Sequence, residues 1–370
     1  MKLLIDASSI NKKNIFASIS NYIIRLVEGF LVHSPFEIVL IADYGLKDFF
    51  KKKYPAIPIH YLKRNYFFYR IPLLGEFYGR WCYKNAIKNI PYDIEIIASD
   101  QDRSTRIKAR RPRIFVVHDL KSIKDGFFLQ RRRNVSFYQF LISDSHFVVA
   151  ISEFTKNDVV KHFNIDDDKI SIIPNSIFRS NKETMPKQSI PEEFILYVNT
   201  LLPHKNPITL IKAFEQINNQ VNHKLVLVGK TTSYWKSEIF PYLRNHNLLD
   251  SVVHLQNLSY DELQYLYNKA ALFVTPSLRE GFGYTPIEAA ISKVPVLSST
   301  SEALPFSTQG LLYYYEPADD SDALACKMLE ILRNPPTQET LNSIAKKFEQ
   351  DYSSQKQIEN FCTLIKKIEM

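Results

Sequence analysis

A chain of 370 residues with 45% hydrophobic content has enough apolar surface for two domains, each burying its own core, and this excludes an intrinsically disordered protein. No apolar run reaches the ~18–20 residues of a membrane-spanning helix. The net charge of +8 is uneven: residues 1–183 carry 30 Lys+Arg against 19 Asp+Glu, and the remainder 17 against 20. A half this basic suits nucleic acid, an anionic membrane or a phosphorylated substrate, or is simply a lysine-rich surface.

The opening residues, Met1-Lys2-Leu3-Leu4-Ile5-Asp6, have the pattern of a buried strand and turn acidic too soon for a signal peptide. Strands are predicted over Leu3–Asp6, Glu37–Ala42, Ile94–Ala98, Ile114–His118, Phe147–Ile151 and Ile170–Ile173. Helices are predicted around Ser20–Leu31, Phe77–Lys88, Ser136–Ser143 and Glu153–His162. This alternation predicts an α/β fold with a mainly parallel, doubly wound sheet over residues 1–183. The polar run Arg179 to Glu193 contains two prolines, and a linker is predicted over 184–193. The pattern restarts with strands over Phe194–Val198, Lys224–Val228, Val252–Leu255, Leu272–Thr275 and Val294–Ser298, with helices between, so a second domain is predicted over 194–345. Within it Asn206-Pro207 has the form of a helix cap followed by a first-turn proline. Residues 346–370 form a helical segment expected to pack back on the first domain. Two such domains are expected to enclose a cleft between the carboxyl ends of their strands. Cys82, Cys326 and Cys362 are scattered and odd in number, which suits reduced thiols in a cytosol and no zinc site.

The run Arg279-Glu280-Gly281-Phe282-Gly283-Tyr284-Thr285-Pro286-Ile287-Glu288 sets two carboxylates around a glycine-containing loop, after a strand and before a helix. In α/β proteins that is where ligands bind, and free amides at a helix start favour an anion. Two acids beside such a spot suit sugar hydroxyls, so the combination suggests a nucleotide sugar. Against this, Thr285-Pro286-Ile287-Glu288 also reads as a capping box, with Thr285 as the cap. Glu280 has no such structural explanation.

Lys205, in a loop before a helix, suits a diphosphate or is a solvated surface lysine. His118-Asp119 ends an apolar strand; the histidine either orients a substrate hydroxyl or is held by Asp119 or backbone groups. Asp100-Gln101-Asp102 has the form of a metal clamp, but Arg103 and Arg106 follow at once, and a salt-bridged loop is the preferred reading. Asp166-Asp167-Asp168 reads as a solvated turn. Lys63, Arg64, Tyr66, Phe67, Phe68 and Arg70 mix cations with aromatics, as does Trp81-Cys82-Tyr83-Lys84, and Arg131-Arg132-Arg133 adds to the basic surface. Membrane contact is preferred there over nucleic acid, because no nucleic-acid fold signature accompanies the pattern; a domain-packing loop is the plainer alternative.

Together these segments resemble the retaining glycosyltransferases of family 4. The second domain carries the resemblance in LYVNTLLPHKNPITLIKAF, KLVLVGK, VVHLQNLSYDELQYLYNKAALFVTPSLREGFGYTPIEAA and VPVLSS; the first adds KLLIDASS, FVVHDL, VVAISEFTKNDVV and KISIIPNS. The resemblance implies the GT-B architecture of two facing Rossmann-like domains. It implies transfer of a sugar from a nucleoside diphosphate to a glycan or lipid-linked acceptor, as in bacterial cell-surface polysaccharide synthesis at the inner face of the cytoplasmic membrane. It places Glu280 on the donor sugar, Glu288 on the ribose, Gly281, Phe282, Gly283, Tyr284 and Thr285 in the loop around sugar and diphosphate, and Lys205 on the diphosphate. His118 lies beside the transferred sugar, and Gly229, Lys230, His204 and Arg279 join the donor side. Ser18, Ser20, Tyr22 and Asp119 fall on the acceptor side. It further implies that neither metal nor cofactor is needed, and that the leaving phosphate draws the acceptor proton. Three positions depart from the family pattern: Ser18-Ile19-Ser20 where Gly-x-Gly is usual, His204 near a usual arginine, and Asn199 where glycine is common. A catalytically degenerate binding subunit and a sugar-nucleotide epimerase are the alternatives.

Overall fold

The computed structural model describes residues 1–370 except Phe16, Arg70, Pro72, Leu73, Gly126, Asn181 and Met370. The chain divides into two compact units: residues 1–176 with 354–370, and residues 177–353. The segment 184–193 thus falls inside the second unit, and the last helix inside the first.

The first unit contains β1 (Lys2–Ala7), α1 (Ser18–His33), β2 (Glu37–Asp43), α2 (Lys47–Lys53), β3 (Ile59–Leu62), α3 (Tyr66–Tyr69), α4 (Leu74–Ile87), β4 (Ile94–Ile97), β5 (Arg113–Val117), α5 (Lys121–Lys124), α6 (Phe128–Asp144), β6 (Phe147–Ala150), α7 (Glu153–Phe163) and β7 (Ile170–Ile172). Its seven strands are ordered β3-β2-β1-β4-β5-β6-β7 and every pairing is parallel. The second unit contains β8 (Phe194–Val198), α8 (Pro207–Ile217), β9 (Lys224–Val228), α9 (Phe240–Asn245), β10 (Val252–Leu255), α10 (Tyr260–Lys269), β11 (Leu272–Thr275), α11 (Tyr284–Ile291), β12 (Val296–Ser299), α12 (Leu304–Ser307), β13 (Tyr313–Tyr315), α13 (Ser321–Arg333) and α14 (Gln338–Asp351). Its strands run β10-β9-β8-β11-β12-β13, again all parallel. The closing helix, α15 (Ser354–Glu369), packs on α1, where a Cβ on Gly29 would lie 2.8 Å from the Ser354 hydroxyl.

Both sheets are doubly wound, as the alternating pattern predicts. Central strands such as β5 and β8 are buried along their whole length, which parallel strands covered by helices on both faces require. In both units the order reverses at one place: between β1 and β4, and between β8 and β11. Loops diverge there, leaving a crevice at the carboxyl ends of the strands. The residues after β8 and β11, and those after β1 and β4, therefore occupy the ligand-binding positions of this architecture.

Local signals misplaced some boundaries. Helix α6 begins at Phe128, eight residues before the predicted start, because its first turns are basic and exposed and lack the apolar period that marks a helix. Strands β3 and β13 are short and only partly buried and escaped prediction. Asn206 does precede α8, but in the left-handed conformation (φ 55°) with no side-chain bond to the helix amides; its Nδ2 donates to the Ala318 carbonyl at 2.8 Å and its Oδ1 accepts from the Thr209 hydroxyl.

Candidate active site

In the second unit the site is built at the β8/β11 reversal. Lys205 ends a short 3-10 turn after β8 and is buried. Its Nζ donates to Glu280 Oε1 at 2.6 Å and to the Arg279 carbonyl at 3.4 Å. The same Glu280 oxygen accepts from Asn199 Nδ2 at 3.2 Å and Ser277 Oγ at 3.1 Å. The loops are tied by the Leu278 amide donating to the His204 carbonyl at 2.9 Å. Three elements thus converge on one carboxylate, and an ammonium stands beside it. Of the expected donor residues, Lys205 and Glu280 meet directly, and Arg279 and His204 flank them through backbone. Ser277 lay outside the sequence reading, although it stands only three positions before Glu280.

The loop after Glu280 is shaped by Gly283, which has φ 85°; a Cβ there would lie 2.7 Å from Leu304 Cδ2. Gly283 starts α11, and no side chain caps the helix. This corrects the capping-box reading: Thr285 lies within the first turn and is not the cap. Glu288 accepts instead from the Tyr267 hydroxyl on α10 at 3.1 Å. Burial, with the Glu288 carboxylate adding to it, pushes the Tyr267 phenol well above its ordinary range, so it remains a donor. Phe282 points into the unit, buried against Tyr284 and Tyr352. Glu288 and Tyr267 also line a small cavity of about 20 Å³ with Phe178, Tyr260, Leu263 and Gln264. Gly229 follows β9, and a Cβ there would lie 2.2 Å from the Asn199 carbonyl oxygen, so this glycine lets the Asn199 backbone pass. Lys230 is exposed.

In the first unit His118 follows β5. Its Nε2 lies 3.0 Å from the Ala98 carbonyl, to which it donates when protonated there, and its ring meets Tyr22 edge-on at 4.5 Å. Asp119 does not hold the histidine; its carboxylate accepts from the Lys121 amide at 2.9 Å, and its carbonyl from the Tyr138 hydroxyl. Ser18 is exposed at the start of α1, whereas Ser20 is buried with no partner for its hydroxyl among the described residues.

The aspartates of the 100–102 loop separate. Asp100 accepts from Tyr138, and burial pushes its carboxyl up. Burial also acts on Asp102, but Arg64 and Ser104 outweigh it and hold that carboxyl below the usual range. Among the described residues, no three His, Cys, Asp or Glu side chains group as a metal site.

Arg64 is the clearest correction. It was expected at a membrane, but its side chain is only 5% exposed and spans three strand ends, bonding Asp43 at 2.8 Å, Asp102 at 2.7 Å and the Ser8 carbonyl at 2.8 Å. Two buried carboxylates need a cation more than lipid does. Lys63, Phe67 and Phe68 are exposed. Arg70 and the Tyr66 side chain lie outside the described residues. No helix among the described residues is long and apolar enough to cross a membrane.

Comparison with known proteins now bears on this geometry. Residues 19–178 match the family model described as Glycosyltransferase Family 4, and residues 180–348 match Glycosyl transferases group 1. The chain belongs to glycosyltransferase family 4. O-antigen chain mannosyltransferase RfbU of Salmonella typhimurium is 32% identical over 228 residues, covering 60% of this chain and 62% of the relative. O-antigen chain mannosyltransferase B of Escherichia coli is 25% identical over 203 residues, covering 52% and 53%. The chain thus spans between about half and two thirds of the length of these relatives. Among solved structures, Anabaena Alr3699/HepE with UDP and glucose superimposes with TM-score 0.76 at 16% identity, covering 99% of this chain and 100% of that one. A glycosyltransferase from Rickettsia africae does so with TM-score 0.76 at 16% identity, over 99% and 98%. These two likenesses show the shared GT-B fold.

Proposed function

We propose that this glycosyltransferase moves a hexosyl group from a nucleoside diphosphate to a glycan or lipid-linked acceptor, with retention at the anomeric carbon, in the assembly of a bacterial surface polysaccharide. The observation that carries the reading is the Lys205–Glu280 pair, held by Asn199 and Ser277 at the strand reversal of the second unit. A diphosphate takes the Lys205 ammonium and the positive amino end of α11, while Glu280 turns to sugar hydroxyls. Glu288, kept in place by Tyr267, takes a ribose hydroxyl. Two further facts support a nucleotide-sugar donor: the Salmonella and Escherichia coli relatives are mannosyltransferases, and the Anabaena structure holds UDP and glucose.

In the reaction the bond from the anomeric carbon to the diphosphate oxygen breaks, and the acceptor oxygen bonds to that carbon on the same face. The acceptor proton passes to the departing phosphate oxygen. The first unit supplies the acceptor side, and His118, whose Nε2 lies against the Ala98 carbonyl, holds a hydroxyl of the transferred sugar. Lys205 offsets the charge on the leaving group, so no metal is needed.

A thermal-shift screen of UDP-, GDP- and dTDP-sugars identifies the donor, since a ligand at a hundredfold excess over Kd stabilises by about 2.7 kcal/mol. Transfer by Glu280→Ala at the wild-type rate, or loss of transfer with a chelator, would refute the roles given to Glu280 and Lys205. Sugar interconversion without any acceptor would point to an epimerase.

A further inference from the structure

Two sets of contacts within the first unit fix His118. The ring is set by the chain after β4 and by α1: Nε2 lies 3.0 Å from the Ala98 carbonyl, and Tyr22 meets the imidazole edge-on. The backbone is set by two helices. The Thr155 hydroxyl of α7 donates to the His118 carbonyl at 3.3 Å, and the Tyr138 hydroxyl of α6 donates to the Asp119 carbonyl at 3.0 Å. Tyr138 also reaches the chain after β4, where it bonds Asp100 Oδ2. One phenol thus joins the two segments that hold the histidine. Its side chain is buried, and its ring packs on Phe115, Phe137 and Phe163.

A phenol has one proton to donate, yet Tyr138 faces two acceptors, the Asp100 carboxyl and the Asp119 carbonyl. Both contacts are full hydrogen bonds when Asp100 itself holds a proton. The carboxyl then donates to the phenol oxygen, and the phenol donates onward to Asp119. The phenol does not ionise instead, because burial and the Asp100 charge push it well above its ordinary range. Asp100 keeps part of its surface in solvent, but its carboxyl lies deep enough that burial pushes it up. Three groups face it: the Tyr138 bond and the His118 imidazole act against that rise, and the Asp119 carboxylate adds to it. Once Asp100 loses its proton it draws the phenol proton to itself, and the Asp119 carbonyl loses its donor. A core would need the ring of Tyr138 alone; the hydroxyl brings a carboxyl inward, which packing does not explain.

We propose that Asp100 and Tyr138 are positioning residues for His118, a pair sharing a proton that ties the chain after β4 to the His118-Asp119 turn and so sets the imidazole toward the sugar. The proposal rests on the role given to His118 in the proposed function. The pair acts through the histidine and needs no contact with substrate. It is complete while Asp100 is protonated and slackens as pH rises through the folded value of that carboxyl.

The test uses the full chain with isotope-labelled histidine, and the His118 imidazole signal in the NMR spectrum is identified by its loss from His118→Ala. Tyr138→Phe keeps the packed ring and Asp100→Asn keeps the side chain's shape, so circular dichroism should match the wild type. Each variant should move the His118 signal at fixed pH. In the wild type that signal should also follow the ionisation of Asp100, a step absent from Asp100→Asn. Release of nucleoside diphosphate from UDP-glucose or GDP-mannose supplies the kinetic arm. Tyr138→Phe should lower kcat/KM about tenfold in the wild-type background, and by less than about twofold where His118 is already alanine. The ratio of Asp100→Asn to wild type in kcat/KM should rise with pH, because the asparagine N–H donates to the phenol at every pH. A His118 signal unmoved by both variants overturns the proposal. So does an equal loss from Tyr138→Phe in the two backgrounds, or a ratio that stays flat with pH. Transfer by His118→Ala at the wild-type rate would overturn it by a separate route, through the role given to His118, and the signal tells the two failures apart because it needs no substrate.

Discussion

Asp6 ends β1 with a fully buried carboxyl. Its Oδ1 accepts from the Ser8 amide at 3.0 Å, while Oδ2 has no partner among the described residues. Burial first, and the Asp102 carboxylate second, push its pKa up to about 7 from 3.8. Because the folded value lies above the unfolded one, the folded state binds more protons between the two. Asp6 is therefore best tolerated below the unfolded value, and stability falls as pH rises through about 7. Linkage gives a loss on the order of 4 kcal/mol across the whole window, of which roughly 2–3 kcal/mol falls between about pH 5 and pH 8. Asp6→Asn keeps an acceptor for the Ser8 amide and removes the titration. Urea unfolding of both proteins across that range isolates the effect, because other groups, including Asp100, titrate equally in each. The variant should gain on the wild type steadily as pH rises. A difference that stays flat with pH would refute the account of a protonated, buried Asp6.

Asn199→Ala removes the side-chain hydrogen bond to Glu280, together with the one that the Thr200 amide donates to Asn199 Oδ1, and should lower kcat/KM about tenfold, the worth of one hydrogen bond to a charged group; an unchanged value means that Lys205 and Ser277 suffice. Tyr267→Phe should cost about 1–2 kcal/mol in denaturant unfolding and raise the KM for donor more than it lowers kcat, because it releases Glu288 rather than Glu280. Gly283→Ala forces a side chain into a left-handed position against Leu304 and should destabilise by about 1–3 kcal/mol, seen as a lower melting temperature.

The division between what was legible and what was not follows the range of the forces involved. Strand–helix alternation, the restart after residue 193 and the loop from Glu280 to Glu288 depend on residues a few positions apart, and a linear reading recovers them. The sequence by itself determined that this chain forms two parallel, doubly wound sheets and carries a family 4 motif set. Partners of buried charges are another matter. Arg64 is 38 residues from Asp102, and Lys205 is 75 from Glu280. Arg113, lying just before an apolar run, is fully buried with Glu95 at 2.8 Å, a pairing no local pattern signals. Glu288 looked like half of a capping box because Thr-Pro-x-Glu fits one. Gly283 set the helix start earlier, and Tyr267 on another helix claimed the carboxylate. Only the tertiary structure decided whether each charge faced solvent or a buried partner. Desolvation makes an unpaired charge in the interior so costly that the fold, rather than the neighbouring residues, assigns its partner.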